Sequence, residues 1–175
     1  GIFSVYSELF GISFKALPNE AVWHESVEAF EMYLGKELVG KFFLDMHPRE
    51  NKFKHAAMFG IQTGLSNGQI PMASLVCNFP NPNSNNGLME HTQVTTYFHE
   101  FGHLIHHLMA RSQKWVSQGG ITTEWDFVEA PSQILEEWAW SPKVLAKFAT
   151  HIETDKTIPA ELVQKLRKSE DFGKA

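Results

Sequence analysis

"YFHEFGHLIHHL", residues 97–108, sets four histidines and one glutamate among residues that otherwise read as a buried helix. At about 100° per residue, His99, His103 and His106 fall within an arc of roughly 60°, with Phe98, Phe101, Ile105 and Leu108 on the opposite side. The apolar side anchors such a helix in a core and holds the histidine stripe toward a cleft. Gly102 lies between the two faces, where a missing side chain permits another element to come close.

The spacing His99-Glu100-x-x-His103 places two imidazoles one turn apart, both within reach of a single tetrahedral zinc ion. Glu100 flanks that ion without ligating it, where a carboxylate takes a proton from water and later hands it to a departing amine. An isolated histidine is more often solvated or hydrogen-bonded than ligating. Helical periodicity, the glycine and the apolar back face together favour the ligand reading here.

A catalytic zinc site takes about three protein ligands and leaves one position open, so a third is expected elsewhere. "DFVEAPSQILEEWAW", residues 126–140, follows the loop "QGGITTEWD", residues 118–126, which lets the chain return antiparallel. On spacing, Glu124, Asp126, Glu129, Glu136 and Glu137 all compete for the place. A carboxylate that does not ligate is available to orient an imidazole through its second ring nitrogen, and Glu124 and Asp126 are candidates for that task. His106 is open between the same task and packing. Asp126 with Glu129 resembles a capping box, but Pro131 would fall inside that helix, so it either begins near Glu129 or is kinked there.

Upstream, "FSVYSELF", residues 3–10, has helical spacing with Gly11 as its stop. "VEAFEMYL" and "ELVGKFFLDM", residues 27–34 and 37–46, read as a hairpin turning through Gly35 and Lys36. "HAAMFGIQTG" and "PMASLVCNF", residues 55–64 and 71–79, read as two further strands. "NFPNPNSNNG", residues 78–87, is a loop by composition, and helical patterns follow at about 90–112, 127–140, 142–152 and 160–168. Strands first and helices afterwards is the α+β order: a small, mostly antiparallel sheet within 1–80, then a helical part over 88–175 that includes the HExxH helix.

The chain has 175 residues, the usual size of one domain, with 20 acidic and 15 basic residues. No basic run is present to track phosphates or an anionic bilayer, so neither nucleic acid nor membrane is an expected partner. No apolar stretch approaches the roughly 20 residues that span a bilayer. Cys77 is the single cysteine, which removes an internal disulfide framework and favours a reducing compartment, the cytoplasm. His24, His55, His91 and His151 read as surface or packing residues.

"HEFGHLIH" followed by "EWDFVEAPSQILEEWAW" closely resembles the thimet oligopeptidase and neurolysin family of zinc metallopeptidases, which includes bacterial oligopeptidase A and dipeptidyl carboxypeptidases. The likeness extends upstream through "FFLDMHPRENKFKHAAMFGIQTG" and "ASLVCNF", and so covers nearly the whole chain. It implies a zincin-like fold, one Zn²⁺ per chain held by His99, His103 and Glu129, and Glu100 as general base. The implied activity is hydrolysis of internal bonds in short peptides within a channel that excludes folded proteins. In zincins an edge strand beside the zinc helix pairs with extended substrate, and 72–79 resembles that strand, with Ala73, Ser74 and Leu75 as the substrate-binding residues.

Family members are several hundred residues long and carry a downstream His-, Tyr- and Gly-containing segment that contacts substrate and the developing oxyanion. The resemblance therefore implies a core of the catalytic domain whose partner is the rest of that chain. Two alternatives stand beside the peptidase: a zinc-binding but catalytically weak or silent module, and a metal-free helical scaffold. A silent structural site has no use for Glu100 and usually closes all four positions with cysteines.

Overall fold

The computed structural model describes residues 1–83 and 87–171; residues 84–86 of the expected 78–87 loop and the last four residues lie outside that description. The chain opens with helix α1 (Ile2–Phe10), which Gly11 ends in a left-handed conformation. Strands β1 (Ile12–Ala16), β2 (Glu28–Leu34), β3 (Glu37–Asp45), β4 (Ala57–Gln62) and β5 (Met72–Val76) follow. The helices after them are α2 (His91–Met109), α3 (Ala130–Glu136), α4 (Pro142–Leu145) and α5 (Ala160–Asp171). This is a mixed α+β protein.

The hairpin from β2 to β3 forms through Gly35 and Lys36, with Leu34 opposite Glu37. Gly35 has φ 62°, the positive value that a two-residue hairpin turn requires. The sheet order is β1-β2-β3-β5-β4, and β3 with β5 is its parallel pair. Residues 46–56 leave the end of β3, β4 forms the edge, and β5 enters between β3 and β4.

β1 was not expected from the sequence. Five residues, "ISFKA", directly after a helix stop are too few for alternation to register, and the strand exists because its whole length pairs with β2. At the other end, the helix expected over 142–152 is only four residues long. Beyond Leu145 the chain turns, and Thr150 bridges to Thr157.

Helix α2 is the spine of the core. Phe98, Phe101, Leu104, Ile105 and Leu108 are buried, and they pack with Tyr6 of α1 and with Met32, Val39, Phe42 and Leu75 of the sheet. Each such side chain contributes about 1.5–3 kcal/mol through removal of apolar area from water. The Tyr6 ring lies 4.7 Å from that of Phe101, and its buried hydroxyl donates to the Phe98 carbonyl at 2.9 Å, so burial leaves no polar atom of Tyr6 unpaired. The helix starts with a capping box: the Glu90 side chain accepts from the backbone of Gln93, and Gln93 Oε1 accepts from the Glu90 N–H at 2.9 Å.

A buried ionic knot closes the exit of β3. Asp45 is 2% exposed, accepts from both terminal nitrogens of Arg49 at 2.5 and 2.8 Å, and accepts from the Trp23 indole at 2.9 Å. Lys52 Nζ lies 2.9 Å from Asp45 Oδ1 and donates to the carbonyls of Asp45, His47 and Cys77. One ammonium thus ties the 45–52 loop to the end of β5, which sets the path of the chain into β4. Burial alone would push the Asp45 carboxyl up, but the bonds from Arg49, Lys52 and Trp23 outweigh it and hold the group well below the usual carboxylate range.

Among the described residues, no helix is long and apolar enough to cross a membrane.

Candidate metal centre

His99 and His103 lie one turn apart on α2, which the apolar face holds rigidly against the sheet. The third side chain arrives from α3. Glu129 is the residue that precedes α3, with Pro131 within its first turn, where the missing N–H costs no helical bond. The helix therefore starts directly after Glu129, with the proline in its first turn and not in its interior.

Three potential ligand atoms converge. His99 Nε2 and His103 Nε2 each lie 3.1 Å from Glu129 Oε2 and 3.1 Å from each other. Atoms held ~2.0–2.1 Å from one tetrahedral centre are roughly 3.3 Å apart, so this triangle fits a zinc-sized ion bound by two imidazoles and one carboxylate. The side chains of His99, His103 and Glu129 are 23%, 10% and 47% exposed, so the triangle is backed by protein and open on the glutamate side. An open side is what a catalytic ion needs and what a structural one lacks.

The second nitrogen of His99 is also engaged: Nδ1 lies 2.5 Å from Glu136 Oε1. A carboxylate only accepts, so the proton sits on Nδ1 and the Nε2 lone pair faces the triangle. His103 Nδ1 is buried and has no hydrogen-bond partner among the described residues. Burial holds the His103 imidazole below its ordinary pKa, against the pull of Glu129, which favours the neutral form that ligates.

Glu100 is half-buried beside this group. Burial raises its carboxyl above the ordinary range; the charge of His99 and a hydrogen bond from the Met58 backbone oppose the rise, and Glu129 adds to it. Met58 belongs to β4, so the backbone that lowers the Glu100 carboxyl is that of the edge strand.

Several sequence expectations are corrected here. Glu124 and Asp126 are exposed and form no hydrogen bond or ion pair with the histidines; of the competing carboxylates it is Glu136 that bonds the second ring nitrogen of His99. The loop before α3 turns through the Glu124 carbonyl, which accepts from Phe127 and Val128, and this faces both acidic side chains outward. His106 is partly buried with Nδ1 unpartnered among the described residues, and it bonds neither His99 nor His103.

Ala73, Ser74 and Leu75 do not lie on an edge. β5 is paired on both sides, with β3 and with β4, and these three residues are buried. The edge beside α2 is β4.

His107 was missed. It is 4% exposed, and its Nε2 lies 3.0 and 3.1 Å from the carbonyls of Gln62 and Met72, tying α2 to the end of β4 and the start of β5. By helical angle it lies about 40° past His103, toward Leu104. Of the remaining histidines, His91 bonds the Ala139 carbonyl at 2.9 Å and rests on Trp140, and His24 pairs with Ser26.

Residues 1–175 match the sequence profile described as peptidase family M3. This chain belongs to peptidase family M3. Its relatives include oligopeptidase A of Escherichia coli (strain K12), 39% identical over 178 residues that cover 98% of this chain and 26% of the relative. Saccharolysin of Saccharomyces cerevisiae is 34% identical, with 97% of this chain and 26% of the relative covered. Dipeptidyl carboxypeptidase of Escherichia coli (strain K12) is 36% identical, with 99% and 26% covered. The M3 chain described here thus spans about a quarter of the length of these relatives.

Proposed function

We propose that this chain carries the zinc centre of an M3 endopeptidase that hydrolyses internal bonds of short oligopeptides. The observation that carries the reading is the convergence of His99 Nε2, His103 Nε2 and Glu129 Oε2 at 3.1 Å, with Glu100 next to His99 on the same helix. His99, His103 and Glu129 would hold one Zn²⁺ and leave a position open. When bound there, zinc supplies a Lewis acid that polarises a carbonyl oxygen and acidifies water.

The chain's own residues supply the rest. Glu100 accepts a proton from the attacking water and returns it to the departing amine nitrogen, its half-buried carboxyl held above the ordinary range by burial. Glu136 keeps His99 in the tautomer that leaves Nε2 free. The unpaired edge of β4 offers backbone groups for an extended peptide, so substrate lies as an added strand between that edge and α2. Phe59 and Ile61 of β4 are exposed and available to its side chains. The remainder of a full-length M3 chain would complete the channel, and a single cysteine favours a reducing compartment such as the cytoplasm.

Replacing Glu100 by glutamine tests the reading. A peptidase keeps its zinc and loses hydrolysis of a short internally quenched peptide; a silent zinc module shows no functional change, and a metal-free scaffold has no zinc in either form.

A further inference from the structure

We infer that Ser132, seated by Gly102, is a positioning residue for Glu129. The inference rests on the reading of His99, His103 and Glu129 as a metal centre. Ser132 is fully buried, and its Oγ lies 2.9 Å from the Glu129 carbonyl and 3.0 Å from Glu129 Oε2. That oxygen is the same one that stands 3.1 Å from both imidazoles. Among the described residues, no other side-chain hydroxyl, amide or cation reaches this carboxylate.

The need for such a donor follows from the exposure of Glu129. Its side chain is 47% exposed, and an exposed glutamate otherwise samples several rotamers. The single Ser132 hydroxyl proton is shared between the Glu129 carbonyl and Oε2, and this favours the rotamer that points Oε2 at the histidines. Hydrogen bonds to a ligating carboxylate also tune its basicity, so the hydroxyl acts on metal affinity as well as on geometry.

Gly102 makes the arrangement possible. A Cβ at position 102 would lie 2.9 Å from Ser132 Cα and 3.2 Å from Leu135 Cδ1. The first is a backbone neighbour and cannot swing away, so α3 would have to retreat from α2 and carry both Ser132 and Glu129 with it. The glycine between the two histidines therefore sets the distance across which the third group reaches them.

The test is zinc affinity by chelator competition and the visible spectrum of the Co²⁺-loaded protein, measured on the parent, Ser132→Ala and Glu129→Gln. Ser132→Ala is expected to weaken zinc binding by about 10–100-fold and to alter the cobalt spectrum, with the unfolding midpoint of the metal-free protein near the parent's. Unchanged affinity and spectrum in Ser132→Ala, with Glu129→Gln weakened, would overturn the inference and leave the metal centre standing. A lowered metal-free midpoint with affinity and spectrum unchanged would overturn it too, as a purely structural role. A parent that binds neither metal would instead overturn the metal-centre reading itself. If Ser132→Ala does not fold, Ser132→Cys, close in volume and a weak donor, carries the same expectation and the same refutation.

Discussion

Glu136 Oε1 lies 2.5 Å from Nδ1 of His99, so one carboxylate fixes both the orientation and the tautomer of the first imidazole of the triangle. Glu136→Ala is expected to weaken zinc affinity by about 10–100-fold, and Glu136→Gln by less, because the amide oxygen still accepts from Nδ1–H. Competition with a chromogenic chelator measures both. Equal affinity in the parent and both variants would count against the role.

Glu100→Gln separates binding from chemistry. The carboxylate is half-buried, and the amide preserves its shape without its basicity. Hydrolysis is expected to fall by roughly 10²–10⁴-fold with zinc content unchanged. Residual turnover near that of the parent would exclude Glu100 as the base.

The order of the strands makes a distinct prediction about substrate. If a peptide adds to the β4 edge, methylation of a backbone nitrogen that bonds this edge removes one hydrogen bond, worth ~0.5–1.5 kcal/mol. KM is expected to rise roughly 2–13-fold for methylation at alternate positions and to stay level in between. A uniform response along the peptide would rule out strand addition.

Gly102→Ala opposes two effects. Alanine favours the helix interior by about 1 kcal/mol over glycine, yet its Cβ would stand 2.9 Å from Ser132 Cα. Weaker zinc binding is expected despite the better helix former, and thermal unfolding with and without zinc resolves the two contributions.

Asp45 governs stability in acid. Its folded pKa is depressed, so its contribution is present above the ordinary aspartate value of about 3.9 and is lost as pH falls through the lower folded value. Asp45→Asn strands the buried Lys52 ammonium and is expected to cost ~3–5 kcal/mol at neutral pH. Urea unfolding of the metal-free protein should show the gap between parent and variant narrowing below about pH 4. A gap that does not depend on pH would refute the assignment.

Much of this site was legible because helical periodicity is a strong signal. One face of α2 carried the apolar residues that are buried, and the opposite stripe carried His99 and His103. The hairpin through Gly35 was equally plain, since two β-rich runs met at a two-residue turn. What spacing alone left open was everything that depends on contacts between distant segments. The choice among five carboxylates needed the path of the 118–129 loop, and the exchange of β5 for β4 at the edge needed a crossover that no local pattern encodes. His107 escaped because its partners are backbone carbonyls, which carry no residue signature.

On the proposed function, His99, His103 and Glu129 hold one zinc ion. Elemental analysis of zinc per chain, after removal of loosely bound metal, tests it on the parent and on His103→Ala. One zinc per chain in the parent and a large loss in the variant is the expected result. A parent without zinc, or a variant that retains it in full, would contradict the account.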